Sequence, residues 1–320
     1  MSNFGFASTA DEVLSEVDLS GRSVLVTGAY SGLGRETARA MANTGAHVIL
    51  SGRDEDKLRE TAKDLSNRTG AAIDTLVCDL AALASVREAG TQAISRFDKL
   101  DLLINNAGIM ACDQARTADG FEMQFGTNHL GHFLLTNLLV PLLKKGEHAR
   151  IVTLSSRGHH ISPMDFDDPN FDQRDYDKWV SYGQSKTANI LFTVGLEKRL
   201  ADQGIHALAV HPGGIMTNLS RHMSEQDVAD LMERIRKNAE ARGEAPEPFK
   251  SIPQGAATTC WAATAPQLEG RGGLYCENCQ VAEIDDENTG GGVRSYALDP
   301  AAADRLWRLS EEMVGQTFAW

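Results

Sequence analysis

Residues 23–40 read SVLVTGAYSGLGRETARA. A β-branched run over 23–27 is followed by a glycine-rich turn, and a helical pattern then begins at Leu33. Glycines in such a turn let the backbone bend tightly and approach a pyrophosphate, and the helix N-terminus adds partial positive charge. The stretch therefore predicts a dinucleotide-binding unit, and the alternative is a glycine-rich turn without a ligand. The expected cofactor contacts in this turn are Gly28, Tyr30, Ser31, Gly32, Leu33 and Gly34.

The same alternation of strand-like and helix-like segments continues along the chain. Further strands are predicted at 46–50, 73–78, 102–104, 151–154 and 206–210, with 273–275 as a candidate seventh. Helices are predicted at 33–42, 55–66, 83–97, 124–143 and 182–201. Right-handed crossovers between parallel strands place helices on both faces of a sheet. The pattern predicts an α/β, doubly wound Rossmann-type sandwich with a mainly parallel seven-stranded sheet.

Length and segment composition predict one domain over residues 1–320. We expect an N-terminal helical arm over 1–20, a core over 21–285 and a tail over 286–320 that acts as a packing or subunit-contact helix. Two segments interrupt the core. Residues 157–180 are polar and rich in aspartate and predict a long loop, whereas 218–250 carry apolar residues at helical spacing and predict a lid.

Charge and cysteine content exclude several classes of function. The net charge of −13 disfavours nucleic acid as a partner but not a small phosphate ligand bound at contact range. Five scattered cysteines do not form a disulfide framework, and with no signal peptide or membrane anchor they predict a cytoplasmic protein. No metal site is predicted, because the histidine pairs His129/His132 and His159/His160 lack accompanying ligands.

Coenzyme selectivity is expected at the end of the second strand, which reads Ser51-Gly52-Arg53. An acidic side chain there would bind the ribose 2′-OH of NAD. This chain has none, and Arg53 can bind a 2′-phosphate, so the sequence favours NADP while leaving NAD open. The alternative is that Arg53 pairs with Asp54 or Asp56 on the surface.

The ends of the later strands supply further expected cofactor contacts. Asp79 is placed to cap the adenine edge, with a simple turn carboxylate as its alternative. The complete expected set beyond the glycine-rich turn is Ser51, Arg53, Asp79, Leu80, Asn105, Ala107, Gly108, Tyr182, Lys186, Pro212, Gly213, Ile215 and Thr217.

A phenol and an ammonium stand four residues apart at Tyr182 and Lys186, and so lie on one face of a helix. A neighbouring ammonium favours phenolate, and lowering the phenol pKa by about three units corresponds to roughly 4 kcal/mol. Tyr182 could then exchange a proton with a substrate oxygen. Upstream, the fifth strand ends in Ser155 and Ser156, and we expect Ser156 to hydrogen-bond the reacting oxygen.

Five motifs occur in an order that resembles the short-chain dehydrogenase/reductase family over residues 19–284. They include TGAYSGLG, NNAG, NHLGH, YGQSK and PGG. The stretches TADEVL, NHLGHFLLTNLL, YGQSKTANILF and GGLYCENC are similar to its retinol dehydrogenase-like and WW-domain oxidoreductase-like branch.

The resemblance implies a catalytic tetrad of Asn128, Ser156, Tyr182 and Lys186. Asn128 would hold a water in a proton relay, and Lys186 would also bond the nicotinamide ribose. Members of this branch are commonly NADP-linked, so the resemblance also implies NADP as the cofactor. It further implies a homo-oligomer built on the helix that carries Tyr182.

Together these observations predict an NADP(H)-dependent oxidoreductase that interconverts a carbonyl compound and its alcohol. We expect Met110, Trp179, Met216 and Leu219 to contact an apolar, ring-containing substrate. The alternative is a non-catalytic NADP-binding regulatory protein. Ser156 and Tyr182 stand 26 residues apart, so the 157–180 segment must fold over or beside the site.

Overall fold

One sheet organises the chain, and the computed structural model describes residues 3–217, 219, 223–287 and 290–320. The strands found in these residues are β1 (Ser23–Thr27), β2 (His47–Gly52), β3 (Ile73–Val77), β4 (Leu102–Asn105), β5 (Arg150–Leu154), β6 (His206–His211), β7 (Leu274–Glu277) and β8 (Gln280–Val281). Their order is β3-β2-β1-β4-β5-β6-β7-β8. The first seven are parallel, and β8 pairs antiparallel with β7. The doubly wound α/β class predicted from the sequence is confirmed, with a two-residue eighth strand added.

The helices on the two faces begin and end at residues whose chemistry explains the boundary. They are α1 (Ala10–Leu14), α2 (Gly32–Asn43), α3 (Glu55–Thr69), α4 (Leu83–Arg96), α5 (Met123–Phe125), α6 (Gly131–Leu143), α7 (Lys178–Leu200), α8 (Glu225–Ala241), α9 (Ile252–Thr264) and α10 (Pro300–Val314). The Asp54 side chain caps α3, and Gly70 ends it in the left-handed conformation at φ 72°.

Alternate residues of each strand point to opposite faces and feed two apolar cores. Leu25 and Ile49 join the core formed with α4, α6, α7 and α10. Val24 and Val48 join the core formed with α1, α2 and α9. Because both faces are covered by helices, the central strands are buried along their whole length.

Two segments differ from the sequence-based expectation. Helix α9 was not predicted, because its sequence of small residues, IPQGAATTCWAAT, has little amphipathic pattern. Its start is fixed by a capping box between Ser251 and Gln254. The 157–180 segment is mainly irregular, as expected, but it opens with a 3₁₀ turn over Arg157–Ile161, and α7 already begins at Lys178 because Asp177 caps it.

The predicted lid and tail both contain a helix. Helix α8 lies within 218–250, and residues 218 and 220–222 of that segment lie outside the described residues. Helix α10 packs on α7, with the Trp307 ring 6.0 Å from Phe192 and 5.0 Å from Phe133. In the described part of the chain no helix is both long and apolar enough to cross a membrane.

Candidate active site

A cleft of about 1160 Å³ opens at the carboxyl ends of the parallel strands. Its walls come from the turns after β1, β2, β4, β5 and β6, together with parts of α7 and α8. The strand order reverses between β1 and β4, and ligands of open α/β sheets bind at such a switch point.

The glycine-rich turn forms one end of the cleft. Gly28 and Gly32 have φ values of 65° and 55°, which other residues rarely adopt. A Cβ on Gly28 would lie only 3.0 Å from the Ala107 backbone, so glycine also permits a close approach there. Ser31 caps no N–H group of α2 with its side chain, and the first turn of α2 has no acidic residue. The first-turn N–H groups are therefore suited to an anion such as a pyrophosphate.

The end of β2 presents positive charge to the cleft. Arg53 and Lys57 line it, and Lys57 pairs with Asp54 at 2.8 Å. Asp56 lies 3.8 Å from Arg59, and Arg53 forms no ion pair among the described residues. The alternative in which Arg53 pairs with Asp54 or Asp56 is therefore wrong.

A side chain at position 52 would not fit this wall. A Cβ on Gly52 would lie 2.7 Å from the ring of Tyr30. A carboxylate cannot occupy that position while Tyr30 keeps its place. The neighbouring Ser51 hydroxyl is buried without a hydrogen-bond partner in the described structure, and it lines the cleft as a donor available to a ligand.

Tyr182 and Lys186 line the cleft with 5% and 4% of their surfaces exposed. The Lys186 ammonium lies 5.6 Å from the centre of the Tyr182 ring and donates to the Leu154 carbonyl at 3.1 Å. Burial raises the pKa of Tyr182 to about 12, an effect that hydrogen bonding to Ser156 partly offsets. Burial lowers the pKa of Lys186 to about 8.

The expected lowering of the Tyr182 pKa is not observed in this arrangement. Desolvation of the phenolate is the larger effect. Tyr182 therefore carries a proton at neutral pH.

The two hydroxyls after β5 have different partners. Ser155 donates to the Lys186 carbonyl at 2.8 Å and so fixes α7 against the strand. Ser156 accepts from the Gly158 N–H at 3.0 Å, and a Cβ on Gly158 would lie 3.4 Å from the Ser156 hydroxyl and 2.7 Å from the Tyr182 ring. The structure thus brings Ser156 together with Tyr182, as the sequence predicted.

Asn128 lies in a π-helical turn, Gly126–Leu130, between α5 and α6. Its side chain accepts from the Ile109 N–H at 2.9 Å and donates to the Ile109 carbonyl at 3.0 Å and to Ser185 at 2.9 Å. Its own backbone carbonyl accepts from His132. Asn128 is not among the cleft-lining residues; it connects the turn after β4 to α7.

Asn105 does not line the cleft, and this expected contact is wrong. Its side chain points into the sheet, where it donates to Thr136 at 2.9 Å and Thr153 at 3.3 Å. The next residue, Asn106, lines the cleft instead and donates to the Thr27 carbonyl. Consecutive residues at a strand end point in opposite directions, and the NNAG motif does not say which asparagine faces the ligand.

The other expected cofactor contacts line the cleft, namely Gly28, Tyr30, Ser31, Gly32, Leu33, Gly34, Ser51, Arg53, Asp79, Leu80, Ala107, Gly108, Pro212, Gly213, Ile215 and Thr217. Asp79 also accepts from the Ala81 N–H at 3.0 Å, so it shapes its own turn as well.

The expected substrate contacts Met110, Trp179, Met216 and Leu219 all line the cleft. Helix α8 adds an apolar wall that the sequence only suggested as a lid, through Val228, Leu231, Met232 and Ile235. No cluster of three metal-ligating side chains occurs in the described ranges.

Sequence reasoning missed several polar residues in this cleft, including two histidines and an arginine. His160 follows Ser156 in the 3₁₀ turn, His211 ends β6, and Arg294 comes from the tail. The only sequence signal was their residue type, because Arg294 reaches the site through the return of the chain after β8.

Comparison with known proteins relates this chain to the short-chain dehydrogenases. The model of the short chain dehydrogenase family matches residues 22–228. A short-chain dehydrogenase/reductase from Penicillium rubens, prx1, is 38% identical over 318 residues, which cover 96% of this chain and 90% of that protein. Retinol dehydrogenase 14 from Homo sapiens is 39% identical over 309 residues, covering 92% of this chain and 87% of that protein.

Among solved structures, an uncharacterised protein from Mycobacterium Paratuberculosis is 34% identical with a TM-score of 0.73. The match covers 98% of this chain and all of that chain.

Proposed function

The chain belongs to the short-chain dehydrogenase/reductase family of NAD(P)-dependent oxidoreductases, and from this premise we propose that it interconverts an apolar, ring-containing carbonyl compound and its alcohol with NADP(H). The observation that carries the proposal is that Ser156, Tyr182 and Lys186 share one cleft with the glycine-rich turn. Oxidation of NADPH in the presence of aryl and alicyclic ketones tests it.

In the direction of reduction, the cofactor and the three residues have separate roles. When bound, the nicotinamide dinucleotide supplies the hydride. Tyr182 donates a proton to the substrate oxygen, and the Ser156 hydroxyl hydrogen-bonds the same oxygen. Lys186, protonated below its pKa of about 8, stabilises the tyrosinate left behind.

We propose a positioning role for Asn128 in this reaction. Its hydrogen bonds to Ile109 and Ser185 hold the turn after β4 and the middle of α7 together. Both elements line the cleft, so Asn128 fixes the position of the turn after β4, on the cofactor side, relative to Tyr182 on α7. A water relay through Asn128 stays a prediction from the family resemblance.

Gly158 provides a test of the Ser156–Tyr182 geometry. A Cβ at this position would lie 2.7 Å from a Tyr182 ring carbon and 3.4 Å from the Ser156 hydroxyl oxygen. Gly158→Ala is therefore expected to displace the ring and lower kcat by about 10- to 100-fold, since small misplacements of catalytic groups have effects of that size. The measurement is kcat together with the Kd of NADPH, which should stay unchanged.

Gly5→Ala is the matched control, because a Cβ on Gly5 meets nothing within 4 Å. Wild-type kcat in Gly158→Ala would show that the ring position is not critical.

The preference for NADP is supported by the charges at the end of β2. Arg53 lacks an ion-pair partner among the described residues, and the Tyr30 ring excludes a side chain at Gly52. We expect Arg53→Ala to weaken NADPH binding by about tenfold and to leave NADH binding nearly unchanged, because only NADPH carries the 2′-phosphate. Titration of both cofactors against wild type and variant measures this.

Arg59→Ala is the control for this titration. Arg59 lies in α3 close to Arg53 in sequence, but it pairs with Glu55 and does not line the cleft. Equal weakening of NADPH and NADH by Arg53→Ala would contradict the phosphate assignment.

The apolar substrate is supported by the wall that α8 forms with Met110 and Trp179. No observation supports the competing proposal of a non-catalytic NADP-binding regulator. A measurement of turnover distinguishes the regulator from the enzyme. A homo-oligomer remains a proposal. Residues 181–193 of α7 are all buried and α10 packs on this helix, so a subunit contact on α7 would have to use its other residues. A cytoplasmic location also remains a proposal, supported by five unpaired, buried cysteines.

A further inference from the structure

A basic residue of the tail contributes to the wall of the cleft. Arg294 is 8% exposed and lines the cleft. Its backbone N–H donates to Nε2 of His159 at 3.2 Å, and Nδ1 of the same ring donates to the Ser156 carbonyl at 2.7 Å. One imidazole ring therefore separates the backbone of Arg294 from that of Ser156.

The charge of Arg294 is only weakly balanced among the described residues, where it contributes, after hydrogen bonds to Ser295, to the lowered pKa of Asp286. One guanidinium nitrogen donates to the Asp285 carbonyl, and no ion pair joins the group to a carboxylate among the described residues. The residues outside the description contain no Asp or Glu. Asp286 is the nearby acid on the same loop, but it is exposed, and its carboxylate accepts from the Ser295 N–H at 2.8 Å. A nearly buried guanidinium with no carboxylate at ion-pair distance is stabilised when a ligand supplies a further acceptor.

Three other basic residues of this region, Arg157, His160 and His211, are already neutralised or uncharged. Arg157 pairs with Glu247 at 3.1 Å. His160 donates from Nε2 to the Gly292 carbonyl at 3.0 Å, and burial lowers its pKa to about 4. His211 accepts from the Arg157 N–H at 3.3 Å through Nδ1, and burial lowers its pKa as well. Lys186 also lines the cleft as a cation, but it donates to the Leu154 carbonyl and lies beside the Tyr182 ring. Arg294 is thus a second cation of the cleft, one that is available to an anionic ligand.

We propose that Arg294 binds a carboxylate of the substrate, so that the substrate is an oxo acid or hydroxy acid with an apolar body. The inference rests on the proposed function and specifies its substrate class. Guanidinium and carboxylate match in geometry and can form two parallel hydrogen bonds. The substrate oxygen would lie at Ser156 and Tyr182, the carboxylate at Arg294, and the apolar body against Leu231 and Ile235 of α8.

The test compares an acid with its neutral analogue. The aryl oxo acid benzoylpropionate and its methyl ester share the ketone and the ring and differ in charge. Calorimetric titration of each into the NADP-loaded protein should show the acid binding at least about tenfold more tightly, which corresponds to 1.4 kcal/mol. Arg294→Met should remove this preference, and Arg294→Lys should keep part of it because the charge remains.

Arg234→Met is the control variant. Arg234 also lines the cleft, but it lies exposed on α8. It therefore reports on general attraction of anions, and the acid preference should survive its loss.

Equal affinity for acid and ester, no binding of the acid, or an unchanged preference in Arg294→Met would overturn the proposal. Reduction of the methyl ester with NADPH is measured in parallel. If the acid shows no preference but wild type still reduces the ester, the proposed function is retained and only the carboxylate site is rejected. If wild type does not reduce the ester, the result counts against the proposed function itself.

Discussion

Tyr182→Phe is expected to lower kcat for ketone reduction by roughly a thousandfold, within the range that general acid catalysis contributes. The substitution removes the hydroxyl that donates the proton and keeps the ring that packs against Gly158. Binding of NADPH should be nearly unchanged, because the glycine-rich turn and Arg53 are untouched. Single-turnover reduction and a separate NADPH titration measure the two effects independently.

Tyr176→Phe is the matched control for this loss. Tyr176 is also a partly buried phenol, hydrogen-bonded to the Cys112 carbonyl at 3.1 Å, and it does not line the cleft. It should lose some stability and keep its kcat. Turnover by Tyr182→Phe at the wild-type rate would exclude Tyr182 as the proton donor.

The second large effect is a loss of stability in mild acid. Three fully buried histidines, His129, His132 and His159, have pKa values lowered by burial to about 3, about 4 and about 3. The unfolded chain takes up protons on these rings as the pH falls below 6.5, and the folded chain does not until far lower pH. At pH 5 each ring therefore costs about 2 kcal/mol, or about 6 kcal/mol for the three.

This loss is large against a typical free energy of unfolding of about 5–15 kcal/mol. Burial raises the pKa of Glu122 and Glu277, and proton uptake on these carboxyls in the folded state offsets part of it. Urea unfolding at pH 7.5 and pH 5 should still show a fall of several kcal/mol.

His148→Gln is the control for the acid effect. His148 is exposed and bonds Glu269 on the surface. Its replacement should leave the difference between the two pH values unchanged. A free energy of unfolding that stays constant from pH 7.5 to pH 5 would contradict the neutral, buried state of the three rings.

The parts of the fold and the site that could be predicted from the sequence are those set by local sequence patterns. The strand, turn and helix over residues 23–40 form from neighbouring residues, and the four-residue spacing of Tyr182 and Lys186 fixes their common face. Helix α9 escaped prediction because small residues leave little periodic apolar signal.

The remaining features depend on tertiary packing. The raised pKa of Tyr182 follows from burial, which the YGQSK motif does not encode. The burial of Asn105 depends on which strand-end side chain meets Thr136 and Thr153. The position of Arg294 depends on where the chain returns after β8. The Asp54 carboxylate caps α3, so it does not pair with Arg53.

The reaction that we propose for this protein is the transfer of a hydride from NADPH to a carbonyl carbon. The most direct test uses NADPH dideuterated at the reactive carbon of the dihydronicotinamide, a panel of aryl and alicyclic ketones, and mass spectrometry of the products. We expect an alcohol with one deuterium on the carbinol carbon, formed by wild type and almost absent with Tyr182→Phe. NADPH binding without label transfer to any ketone of the panel would contradict it and favour the non-catalytic alternative.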